Sequence, residues 1–215
     1  MAEQTAGLTS LVNLIERIAD NKYVLGDRLV EVGISGPNLE ATLSAIAMAQ
    51  GELGHARLLY NWSFDLKGLK GKKPEIASQS GKAFPQVVAI RNWIELIAAL
   101  YTVNVALELV LKALLEANHA DVVHRIHKLL KEQKEHIIYS RGWAQQLLAD
   151  GGTIPARFNE SLDKVLPQAE AWLQSVEDSA DLISSGYLPS GTNLVASFQK
   201  QIAELRSART AVNAG

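Results

Sequence analysis

Residues 85–117 read PQVVAIRNWIELIAALYTVNVALELVLKALLEA, and this stretch decides the fold class. One helical row holds Ile90, Ile94 and Ile97; another holds Trp93, Leu96, Leu100, Val103, Leu107, Val110 and Leu114. Together they cover most of a helix circumference. A helix that is apolar nearly all round belongs in the interior, so this segment should lie deep. No glycine occurs between Gly81 and Gly142, and Pro85 is the lone proline in that interval. No alternating β-branched run flanks an Asn-Gly or Asp-Gly turn, so the chain reads as all-α.

Working outward, the breakers mark six helices. The first runs from Leu8 to Val32 on Leu11, Leu14, Ile18, Leu25, Leu29 and Val32. Gly33-Ile34-Ser35-Gly36-Pro37 stops it, with Pro37 suited to the next first turn. The second spans Asn38 to Leu66, followed by the Gly-, Lys- and Ser-rich loop LKGLKGKKPEIASQSGK. The third covers Pro85 to Ala117. Asp121 is the expected N-cap of the fourth, which ends at Ala149 before Asp150-Gly151-Gly152. More polar helices follow from Pro155 to Ile183 and from Asn193 to Arg209. Two tightly joined helices, a long connection and two more long helices describe a ferritin-like four-helix bundle with one crossover loop. The expected organisation is one domain over 1–215, with a core bundle at 8–150 and two additional C-terminal helices at 155–209.

The chain has 215 residues, no cysteine and a formal net charge of −2. Without cysteine there are no disulfides, thiolate metal sites or thiol nucleophiles, in keeping with a cytoplasmic protein. No run of about 18 residues lacks a charge, so no membrane span is expected. The N-terminus lacks a basic segment ahead of an apolar run, so no secretory signal is read. Basic residues form no stripe, which argues against nucleic acid. No Gly-x-Ser-x-Gly, phosphate-binding glycine loop or Cys-His pair supports hydrolase chemistry.

Three apolar rows are broken by polar residues. The row Ala41, Ala45, Met48, Glu52, His55, Leu59, Trp62 places Glu52 and His55 three apart on one helix face. Glu-x-x-His is how one helix supplies a carboxylate and an imidazole to a di-iron or di-manganese centre. The row Ile126, Leu129, Gln133, His136, Ser140, Trp143, Leu147 repeats the register with an amide in place of the acid. The third row, Ile90, Ile94, Ile97, Tyr101, Asn104, Glu108, Leu111, Leu115, sets Asn104 and Glu108 among apolar neighbours. A buried carboxylate requires a metal, a cation, a histidine or a proton. On the first helix Tyr23 flanks the apolar face, with Asp20 and Asp27 a turn to either side.

A weak internal symmetry links the halves. Trp62 follows His55 by seven residues and Trp143 follows His136 by seven; Tyr23 precedes Glu52 by 29 and Asn104 precedes Gln133 by 29. The four positions that would be acidic in a full di-metal bundle therefore read Tyr, Glu, Asn and Gln. The metal-binding candidates are Glu52, His55, Glu108 and His136, enough for a partial iron or manganese site. The competing reading is a metal-free polar network pairing Glu52 with His136 and Glu108 with His55.

Several segments resemble the A and C subunits of the phenylacetyl-CoA epoxidase family, most closely the C type. They are Ile18-Ala19-Asp20-Asn21, Leu25-Gly26-x-Arg28-Leu29-x-Glu31, Gly36-Pro37-x-Leu39-Glu40, Leu53-Gly54-His55-Ala56-Arg57 and Lys131-Glu132-x-x-x-His136-x-x-x-Ser140-Arg141-x-Trp143. The likeness spans about residues 10–175. It implies a ferritin-like fold, an aromatic acyl-CoA ring epoxidase as parent complex, and two subunit types. The A type carries the di-iron centre; the C type has lost ligands and serves as a structural partner. Glu52 and His55 match the A-type motif, whereas Tyr23, Asn104 and Gln133 depart from it.

The expectation is thus a structural subunit with a degenerate site, partnered by a homologous catalytic subunit or by itself. The alternatives are a stand-alone di-metal oxidoreductase and a helical scaffold outside phenylacetate metabolism. Glu132 and Glu135 lie among Lys128, Lys131 and Lys134 on what reads as the wet face. His119, His124 and His127 read as solvated, and Trp62, Trp93 and Trp143 as core or interface anchors. Lys67, Lys70, Lys72 and Lys73 make the crossover loop either a solvated connection or a lure for the phosphates of an acyl-CoA.

Overall fold

The computed structural model of the chain describes residues 2–212, and these are helical without strands. Eight α-helices are present among them: α1 (Ala2–Glu31), α2 (Leu39–Leu66), α3 (Pro85–Val88), α4 (Trp93–Glu116), α5 (Ala120–Ala149), α6 (Ile154–Glu177), α7 (Ala180–Ser184) and α8 (Leu194–Val212). A single 3-10 turn, Gly33–Ser35, joins α1 to α2. The α1–α2 and α4–α5 hairpins face each other, and α6 and α8 pack against α4 on the remaining side.

Helix α4 is the axis, as its sequence requires. Every residue from Leu96 to Glu108 is buried. By length and composition α4 could also cross a membrane, yet 89% of its most apolar window is buried inside the protein. Its apolar surface is used by α1, α5, α6 and α8. Each large aliphatic chain withdrawn from water there contributes about 1.5–3 kcal/mol.

Several boundaries differ from the sequence reading for local reasons. The expected third helix is two, α3 and α4, because Asn92 caps α4. Its side chain accepts from Glu95 N at 3.0 Å, while the Glu95 carboxylate accepts from Arg91 N at 2.8 Å. Asn92-x-x-Glu95 thus acts as a variant of the capping box, in which the acid reaches the N–H one residue before the cap. Asn38 caps α2 by accepting from Ala41 N at 2.8 Å, so Pro37 precedes the helix instead of lying in its first turn. His119, not Asp121, caps α5. Ser179 begins the separate α7, which divides the expected fifth helix.

Helix α1 starts earlier than its apolar row because α7 packs on its first turns. A Cβ on Gly7 would lie 1.8 Å from Ser185 Oγ, so only glycine permits this approach. Ser10 also donates to Asp181 at 2.9 Å.

The crossover loop is fastened rather than freely solvated. Asp20 accepts from Ser80 N at 2.8 Å, Ser80 Oγ at 2.9 Å and Lys82 N at 2.6 Å, and also from the Tyr60 hydroxyl. Asn21 Oδ1 accepts from Phe84 N at 3.0 Å, and the Tyr23 hydroxyl donates to Ala77 O at 3.1 Å. Glu16 binds Lys67, Lys82 and Ser63. These donors hold its carboxyl at about 2, although burial alone would raise it.

Candidate functional site

Four helices deliver polar side chains to one point in the core. Helix α2 supplies Glu52 and His55, α4 supplies Asn104, and α5 supplies Gln133 and His136; all are buried. The residue from α1 is Lys22, which is 0% exposed. The internal symmetry selects Tyr23 for this position, and the structure corrects it by one residue. About 100° of helical rotation separates neighbouring side chains, so Lys22 points inward while Tyr23 reaches the crossover loop. The signal is present in the sequence: Lys22 lies four residues after Ile18 and three before Leu25, interrupting the apolar row of α1 as Glu52 interrupts that of α2.

Lys22 Nζ donates to Glu52 Oε2 at 2.9 Å and to Asn104 Oδ1 at 3.2 Å. Asn104 Nδ2 donates to Glu52 Oε1 at 2.8 Å, and His136 Nδ1 lies 2.7 Å from the same oxygen. Gln133 Nε2 donates to Asn104 Oδ1 at 2.7 Å and to Asn104 O at 3.1 Å. A carboxylate only accepts, so His136 Nδ1 carries a proton. Glu52 therefore receives three donors from three other helices. Burial pushes its carboxyl up, but the Lys22 charge and the His136 hydrogen bond outweigh that, leaving it well below the usual carboxylate range. Burial pushes the Lys22 amine down, opposed by the attraction of Glu52.

Gly51 makes room for this arrangement. A Cβ there would sit 2.8 Å from His136 Nε2, so the bare backbone of α2 is what the imidazole lies against. His136 in turn stacks on His55, with ring centroids 4.6 Å apart and planes 11° from parallel.

His55 and Glu108 do not form the pair expected from the sequence. His55 Nε2 meets Glu132 Oε2 at 2.9 Å. Burial first, and then the Lys22 charge, push the imidazole down to about 4. It is neutral at pH 7, donates through Nε2, and leaves Nδ1 as a buried acceptor without a partner among the described residues. Gln133 Oε1 is a second such atom. Glu132 is 45% exposed and also faces Lys128 at 3.6 Å, so it bridges the wet face and the core. Glu108 is only 7% exposed, and its partner is Lys112 one turn along α4, at 2.9 Å. An (i, i+4) lysine is thus the cation that a buried carboxylate at this position requires.

Among the described residues, no group of three or more His, Asp or Glu side chains is placed to share a metal ion. The structure brings Glu52, His55 and His136 into one neighbourhood and ties Glu108 to Lys112. Elsewhere, Trp62 and Trp93 are buried, and Trp143 packs edge-on against Trp93 at 5.1 Å. His119 is a cap whose ring lies 4.5 Å from Tyr187 rather than a free surface residue. Beneath the crossover loop lies a cleft of about 860 Å³, lined in part by Tyr23, Arg57, Lys72 and Lys73.

The helical core thus carries a Glu-x-x-His pair on α2 and a Gln-x-x-His pair on α5, joined through Glu52 to an ammonium from α1 and an amide from α4. The family described as phenylacetic acid catabolic protein matches residues 2–212, and the chain belongs to that family. It is similar to the C subunit of the 1,2-phenylacetyl-CoA epoxidase of Escherichia coli (strain K12), at 26% identity over 136 residues. That alignment covers 61% of this chain and 54% of the relative, so the match spans about half of the relative's length. The family resemblance, and its lean toward the C type, are thereby borne out.

Proposed function

We propose that this protein is a structural subunit of an aromatic acyl-CoA ring epoxidase of the phenylacetate-degrading type, built as a single ferritin-like domain with a degenerate di-metal site. Its partner is a homologous catalytic subunit, and its compartment is the cytoplasm. The observation that carries the reading is the acid count at the bundle centre. A di-metal bundle of this plan uses four carboxylates, one from each helix; here the corresponding residues are Lys22, Glu52, Asn104 and Gln133. The single acid already accepts from Lys22, Asn104 and His136. Oxygen activation at two irons needs mostly anionic ligands and open positions, and these residues do not fit that group.

The alternative, a stand-alone di-iron or di-manganese oxidoreductase, draws on the unpartnered Nδ1 of His55. One free imidazole nitrogen does not replace three missing carboxylates. An acyl-CoA held by the complex would find Arg57 and Lys72 beside the cleft under the crossover loop.

The test is co-expression with a catalytic homologue that has all four acids. A stable complex on gel filtration is expected, with ring epoxidation that needs the homologue. Turnover of an aromatic acyl-CoA by this chain alone would overturn the proposal.

A further inference from the structure

We infer that Lys22 is the resident cation of a two-metal ligand frame, its ammonium joining the helices as metal ions would and making the fold independent of metal. The inference rests on the degenerate core of the proposed function but not on any partner.

Three observations carry it. First, the frame is intact in layout: one residue from α1 (Lys22), one from α4 (Asn104), and (i, i+3) pairs from α2 (Glu52, His55) and α5 (Gln133, His136). This is the distribution of ligands in carboxylate-bridged di-metal bundles. Second, the two histidine rings stack nearly parallel with centroids 4.6 Å apart. Rings stacked in that way address two separate points, and paired metals in proteins lie roughly 3.5–4 Å apart. Third, the charge closes without metal. Two divalent ions would bring four positive charges to meet four carboxylates. Lys, Asn and Gln in place of three carboxylates leave one acid, Glu52, opposite one ammonium, Lys22, both 0% exposed.

Lys22 also occupies the coordinating atoms. It takes Glu52 Oε2 and Asn104 Oδ1, and so links α1 to α2 and to α4. A divalent ion entering here would have to displace a buried ammonium and add charge with no further acid to offset it.

The experiment compares wild type with Lys22→Glu/Asn104→Glu/Gln133→Glu, both made in iron-, manganese- and zinc-supplemented medium. Metal content and thermal midpoint are read with and without EDTA. Wild type should hold well under about 0.1 equivalent and melt identically in EDTA; the triple variant should hold about two equivalents and melt lower once stripped. Wild type carrying an equivalent or more, lost with stability in EDTA, overturns the inference. So does a folded triple variant that takes up no metal. If the triple variant does not fold, Lys22→Met decides: a midpoint equal to wild type would mean that the ammonium joins nothing. Failure to form a complex with a catalytic homologue would defeat the proposed function and leave this result untouched.

Discussion

Lys22 Nζ lies 2.9 Å from Glu52 Oε2, and neither side chain reaches solvent. A buried pair of this kind is asymmetric in its energetics. Forming it gains little over an apolar pair of equal shape, whereas removing one member strands a charge in the core.

Glu52→Leu and Lys22→Met should therefore each cost roughly 3–5 kcal/mol in urea unfolding. The double variant should recover a good part of that loss, because two apolar chains leave no stranded charge. Additive losses in the double-mutant cycle would contradict a direct pairing.

Gly51 and Gly54 lie one turn apart on α2 and should respond oppositely to alanine. At Gly51 the new Cβ meets His136 Nε2 at 2.8 Å, so Gly51→Ala should destabilise by about 1–3 kcal/mol. Nothing lies within 4 Å of a Cβ on Gly54, where alanine should add up to about 1 kcal/mol of helix propensity. Thermal melts of the two variants on either side of wild type are the expected result.

Stability should fall as pH drops from 6.5 toward 4. The His55 imidazole is held down to about 4 in the folded protein against 6.5 in the unfolded chain. The unfolded state thus binds the extra proton throughout that window. The stability present above pH 6.5 is lost progressively on acidification, on the order of 3 kcal/mol once both values are passed. His55→Gln should flatten the dependence between pH 6.5 and 4.5. Glu16, held at about 2 against 4.5, shares with Glu52 a further loss between pH 4.5 and 2, and Glu16→Gln should reduce that loss while leaving the step above pH 4.5 in place.

Asp20 fastens the crossover loop through two backbone N–H groups, from Ser80 and Lys82, and the Ser80 hydroxyl. Asp20→Ala should cost about 1–3 kcal/mol and speed proteolytic cleavage within 67–84. Cleavage unchanged from wild type would mean that other contacts hold the loop.

The sequence by itself determined the class and most of the core. The all-round apolarity of residues 93–116 could only be satisfied in an interior, and α4 is there. Glu52, His55, Asn104, Gln133 and His136 were legible because each interrupts an apolar row, and burial of a polar group demands a partner. What those partners are, only the tertiary structure decided. Lys22 carries the same kind of interruption on α1, yet a 29-residue symmetry favoured Tyr23; the choice depends on helical phase and on the turn at Gly33–Ser35, which no count along the chain supplies. Glu108 showed the same interruption and found its cation on its own helix, at Lys112. A periodic row states that a side chain must be buried. Which charge waits across the interface is settled by the packing of four helices at once.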